Sequence, residues 1–121
     1  SSNSTMSATV NGSSVTFTVV LSNSNGATIV QGNSSKYTLT LTLKTLGAGV
    51  YNLGDPANGY YATVTDNLGY TYSTDAANVG QITLTQSGSR YNGTFYFTAN
   101  ETSPNAGGGN ISVTSGSCTG I

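Results

Sequence analysis

The sequence has no histidine, no tryptophan, one cysteine, one methionine and two prolines in 121 residues. Each absence closes a class of chemistry. Without histidine there is no ordinary base to activate a serine or thiol nucleophile, and no imidazole for zinc, copper or iron. The single cysteine, Cys118, excludes an intrachain disulfide and the sulfur-rich metal sets, and reads as a small residue near the C-terminus. Charge is as scarce: three Lys or Arg against four Asp or Glu, a net charge of −1. That balance offers no electrostatic footprint for nucleic acid and no basic patch for anionic lipid. No apolar run approaches the roughly 20 residues of a transmembrane helix.

What is present is Ser, Thr, Asn and Gly, together with eight Tyr and three Phe set in alternation with Val, Ile and Thr. A disordered polar chain lacks β-branched and aromatic residues in register, so the composition reads as folded and mostly β. A length of 121 residues fits one domain, residues 1–121, able to bury about two thirds of its unfolded surface.

Period-two runs separated by Gly, Asn, Ser and Pro clusters predict strands over 6–10, 15–21, 27–31, 36–45, 50–53, 60–65, 70–74, 81–86, 91–99 and 110–115. DNLG and SGSR read as hairpin turns, and SPNAGGG as a break before the last strand. No segment has a helical period. The alternation predicts a core of Val15, Phe17, Val19, Leu39, Leu41, Leu43, Val64, Ile82, Leu84, Phe95, Phe97, Ile111 and Val113, with Thr, Ser and Tyr on the opposite faces. Strands at this spacing read as a sandwich or a barrel, and the expectation carried forward is an all-β protein without significant helix: an antiparallel β-sandwich of immunoglobulin-like or jelly-roll-like type, with about eight strands.

Two of the three cations, Lys36 and Lys44, bracket one stretch, KYTLTLTLK. Charges flanking so aggregation-prone a strand act as gatekeepers against wrong edge pairing in the unfolded chain. The other strands have almost none of this protection, so they hide their edges or use them to join copies of the same chain.

The four acids, Asp55, Asp66, Asp75 and Glu101, stand in turn-like contexts, where Asp commonly caps its own backbone. Acid–base catalysis would need two of them to converge. A Ser–Lys arrangement is the one nucleophile left, and no SxxK spacing occurs. Asp66, Asn67 and Asp75 with nearby carbonyls could supply oxygen ligands for calcium, but their spacing matches no calcium loop. No catalytic, metal or cofactor site is predicted. Six Asn-x-Ser/Thr sequons, at Asn3, Asn11, Asn33, Asn92, Asn100 and Asn110, follow largely from composition.

YYATVTDNLGYTYST is the candidate binding surface. With Asp66 to Gly69 as its loop, Tyr61 shares a face with Tyr70 and Tyr72, an aromatic row able to stack on sugar rings or fill a partner's groove. The plainer reading is that half of these tyrosines cover a sheet edge.

The stretches MSATVNG (6–12), GVYNLG (49–54), YST (72–74), GQITLTQ (80–86) and NGTFYFTA (92–99) fall in an order that resembles small surface lipoproteins of Bacteroidota carrying a domain of unknown function. The resemblance implies a cell-surface β-sandwich without known enzymatic activity, and brings no catalytic residues with it. This chain departs from it in lacking the lipidated cysteine at its start and in its very low charge. Removal of an anchor followed by polymerisation, as in pili whose subunits exchange strands, fits both departures.

The function expected first is therefore a secreted, non-enzymatic structural subunit of a cell-surface filament, a homo-oligomer joined by strand addition. Its candidate donor strand lies within residues 1–12, with Met6, Ala8 and Val10 as the inserted side chains; residues 110–121 are the other choice. The alternative is a monomeric surface module that binds glycan or protein through Tyr61, Tyr70 and Tyr72.

Overall fold

The computed structural model describes residues 4–77, 79–102 and 109–121. Asn3 and the SPNAGG part of the predicted break lie outside them, as do the first three residues of the candidate donor segment. Ten strands follow one another: β1 (Thr5–Val10), β2 (Ser13–Ser24), β3 (Ala27–Asn33), β4 (Tyr37–Leu43), β5 (Gly49–Leu53), β6 (Tyr60–Asp66), β7 (Thr71–Ser73), β8 (Gly80–Ser87), β9 (Arg90–Glu101) and β10 (Asn110–Thr119). One turn of 3₁₀-helix, Pro56–Asn58, is the sole helical piece among the described residues.

Two tight hairpins begin the chain. Asn11-Gly12 and Asn25-Gly26 each put two residues at positive φ, 48° and 87° in the first, 51° and 85° in the second. That is the geometry that matches the twist of the flanking strands, and Asn-Gly adopts it most readily. The β8–β9 hairpin turns through Gly88-Ser89, with Ser87 opposite Arg90.

The expected sandwich is not formed. The strands close into an eight-stranded antiparallel barrel, in the order β10-β1-β2-β3-β4-β6-β7-β9 and back to β10. One closing contact joins the two ends of the chain, and the other joins consecutive strands. β1 pairs with β10, from Thr5 opposite Thr119 to Val10 opposite Val113, and β10 pairs on its other side with β9, from Asn110 opposite Asn100 to Cys118 opposite Gly93. The three-residue β7 completes the ring by pairing with Thr63–Thr65 of β6 and with Asn100 and Glu101 of β9. β8 runs along the rest of that edge of β9, and β5 lies outside β8, where its ladder has one partner. Alternation along a strand is the same in a sandwich and in a barrel, so the period-two pattern is silent on which one forms.

The candidate donor strand has its place inside this ring. Met6, Ala8 and Val10 are buried in the chain's own core, and both edges of β1 are occupied, by β10 and β2.

An eight-stranded barrel is just wide enough inside for side chains to fill it. One cluster does so, led by Phe97, Met6, Leu39, Leu41, Leu43, Leu53 and Ile82, all fully buried. Val15 and Val19, expected in the core, are half-buried at its margin. Thr74 is buried and fully satisfied where three segments meet. Its hydroxyl donates to the Gly54 carbonyl and accepts from the Ala62 amide, and its own amide donates to the Ala62 carbonyl. This tie fixes the end of β5 to β6, which share no ladder. The stacked rings of Tyr51 and Tyr60, 4.7 Å between centroids, bridge the same gap. No helix among the described residues is long and apolar enough to cross a membrane.

Candidate binding surfaces

The tyrosine hairpin forms, but in a register one residue from the one expected. Asp66 folds its carboxylate onto the Leu68 and Tyr70 amides, while its own amide donates to the Tyr70 carbonyl. Tyr70 is thereby drawn into the turn, and Thr65 stands opposite Thr71 and Val64 opposite Tyr72. A one-residue slip exchanges the faces. Tyr72 follows the inward side of Val64 and packs on the core, whereas Tyr61, between buried Ala62 and the strand's start, follows the outward side. Tyr61, Tyr70 and Tyr72 therefore do not make one aromatic row.

Tyr72 instead sits at one end of the barrel with Asp66, Glu101, Tyr37 and Tyr70 around it. Burial first, then the two carboxylates, push its phenol above the ordinary tyrosine range. One carboxylate oxygen of Glu101 is buried without a hydrogen-bond partner. The remaining acids are spent on turns: Asp55 accepts from the Ala57 amide and Asp75 from the Ala77 amide. No three acids or thiols among the described residues come close enough to share an ion.

Of the eight tyrosines, five (Tyr37, Tyr51, Tyr60, Tyr72 and Tyr91) pack against the core. The most exposed is one the sequence reading passed over, Tyr96 on β9, at 53%. Its signal was in the sequence. Phe95 and Phe97 are buried, so the residue between them must face out.

Around Tyr96 the outer sheet is shaped by a bulge in β10. Val113 stands opposite Phe97 and Gly116 opposite Phe95, so Thr114 and Ser115 together face the single residue Tyr96. Ser115 takes a left-handed φ of 51°, uncommon for a residue with a side chain. Gly116 is obligatory here, because a Cβ would overlap the ring of Phe95. Beside the bulge lies a hollow of about 310 Å³ on the outer face, where the chain at Phe95 and Gly116 lines its base. Gln81, Thr83, Thr94, Tyr96, Ser115 and Ser117 form its walls. A second hollow of about 140 Å³ adjoins it and shares Thr83, Thr94 and Ser117. A third, about 440 Å³, opens elsewhere, between β2 and the β3–β4 turn beside Lys36.

The family of this fold follows from the whole length of the chain, since residues 3–121 match the model of a domain of unknown function, DUF6252. The chain belongs to that family. No curated protein and no solved structure matches it. The family thus spans the complete barrel, from β1 to β10, and its description assigns no reaction or ligand.

Proposed function

We propose that this domain is a non-catalytic binding module of the cell exterior, which holds a neutral partner against the outer face of its sheet. The observation that carries the reading is the chemistry of that face. One rung across five strands consists of Thr83, Thr94, Ser117, Ser7 and Thr16, each opposite the next and none charged. Among the described residues one cluster of buried side chains fills the interior, so recognition is sought at the surface. An uncharged hydroxyl surface disfavours ionic partners, which would lose hydration without gaining a counter-charge. It suits partners that exchange hydrogen bonds with hydroxyls and amides. The secreted, surface-exposed setting is part of the proposal.

A second reading, the filament subunit, draws on β5. Among the described residues that strand ends the sheet and pairs with β8 alone, and it exposes Val50 at 59%. A second copy adding a strand there would extend the sheet.

One preparation separates the two. The purified chain is applied to arrays of glycans and of surface proteins, and the same sample is viewed by negative-stain electron microscopy. Saturable binding by a monomer supports the module. Filaments, with no array signal, would replace it by the structural subunit.

A further inference from the structure

We propose that the hollow beside Tyr96 is a subsite for a neutral oligosaccharide. This rests on the binding-module reading and gives it a place and a ligand class.

An exposed tyrosine ring on a sheet face offers a large apolar surface at low entropic cost, with a hydroxyl at its tip. The C–H face of a sugar ring matches both, as an apolar disc edged with hydroxyls. Tyr96 stands alone in this respect on its part of the sheet. Its cross-strand neighbour is Gln81, whose amide is 3.4 Å from that of Asn52 on β5, so donors and acceptors flank the ring on one side. Ser115 flanks it on the other, held there by the bulge.

The shape of the site is built rather than incidental. The bulge doubles the hydroxyl residues facing Tyr96, and on the inner side Gly116 lets the Phe95 ring pack close beneath the strand, which holds the bulge in place. Bulges of this kind occur where a strand must re-aim side chains at a site. The size, about 310 Å³, lies at the lower end of small-molecule sites, and the adjoining hollow of about 140 Å³ extends it along the same strands. Two hollows in series fit consecutive rings of a chain better than a single compact ligand.

Charge decides the ligand class. No Asp, Glu, Lys or Arg lines either hollow. Uronic, sialic, sulfated or phosphorylated sugars would find no partner there, and neither would a basic peptide. A protein interface of ordinary strength places several apolar or aromatic anchors in a common desolvated centre. Here the ring stands among hydroxyls, which favours a sugar.

The test is an NMR titration of the whole ¹⁵N-labelled chain with cellohexaose, maltohexaose, mannohexaose and chitohexaose, each at millimolar concentration. At least one is expected to give saturable shifts at residues 81, 83, 94, 96 and 115–117. Tyr96→Ala should weaken that binding roughly tenfold or more, the effect of losing one stacking contact, while Tyr96→Phe keeps most of it. Because Tyr96 faces out, both variants should retain the dispersed spectrum of the fold. Shifts centred elsewhere, or Tyr96→Ala binding like the parent, would overturn the site and leave the module reading standing. Silence from all four sugars would overturn the ligand class. In that event a hit on the protein array would still support a binding module with a different partner, and a blank array would remove the module reading as well.

Discussion

Cys118 shows how a single residue changes meaning once its neighbours are known. In the sequence it is a small residue near one end; in the barrel it points inward opposite Gly93 and is fully buried. Burial pushes its thiol up to about 11, because a thiolate in an apolar interior has lost its hydration. The direction of the pH effect follows. The unfolded thiol ionises near its ordinary pKa of roughly 8.5, while the folded one resists ionisation until about 11. Its contribution is therefore complete below pH ~8.5 and is lost as pH rises through about 11, a fall on the order of 3 kcal/mol. Urea unfolding of the parent and of Cys118→Val at pH 8 and pH 11 checks this. The parent should lose more stability between the two pH values than the variant, and equal losses would show that the thiol ionises as freely inside as outside. Tyr72, raised in the same direction, adds a common background to both proteins.

At the scale of the element, most of the ten strands were legible, since each carries its own alternation and its own turn residues. What escaped was where alternation changes phase. In β10, Ile111 and Val113 face in, and after the bulge Gly116 and Cys118 face in. The switch from odd to even positions is carried by a glycine, which has no hydropathy to display, so the predicted strand stopped at Ser115 instead of continuing to Thr119. The slip in the β6–β7 hairpin is similar in kind. The Asp66 carboxylate captures the Tyr70 amide, a side-chain choice that the spacing of apolar residues does not record. Tyr96, by contrast, was readable from its flanking phenylalanines. The bulge makes a prediction of its own. In an open strand position, Gly→Ala stabilises by roughly 0.5–1 kcal/mol, but a methyl at 116 meets the buried ring of Phe95. Gly116→Ala should therefore destabilise by about 1–3 kcal/mol, as overpacking does. Thermal unfolding measures it, and a neutral or stabilising outcome would mean that the ring has room to move.

At the scale of the whole molecule, the difference between sandwich and barrel resides in contacts between residues more than 100 positions apart, which no local pattern encodes. The expectation of bare edges needing a neighbour arose from the near absence of charge on the strands, and it placed Met6, Ala8 and Val10 in a neighbour's sheet. That place is supplied from within the chain, by β10 on one side and β2 on the other. Native-state hydrogen exchange distinguishes closure from an open sheet strand by strand. In a strand with two partners, successive amides point to opposite neighbours and nearly all are bonded; in an edge strand every second amide is free. Most amides of β1 should thus exchange slowly, apart from the irregularity between Ser7 and Thr9. In β5 the amides pointing away from β8 should exchange fast, alternating with protected ones. If every second amide of β1 exchanged as fast as those of β5, the ring would be open in solution, and the first strand would again be an edge available to another copy.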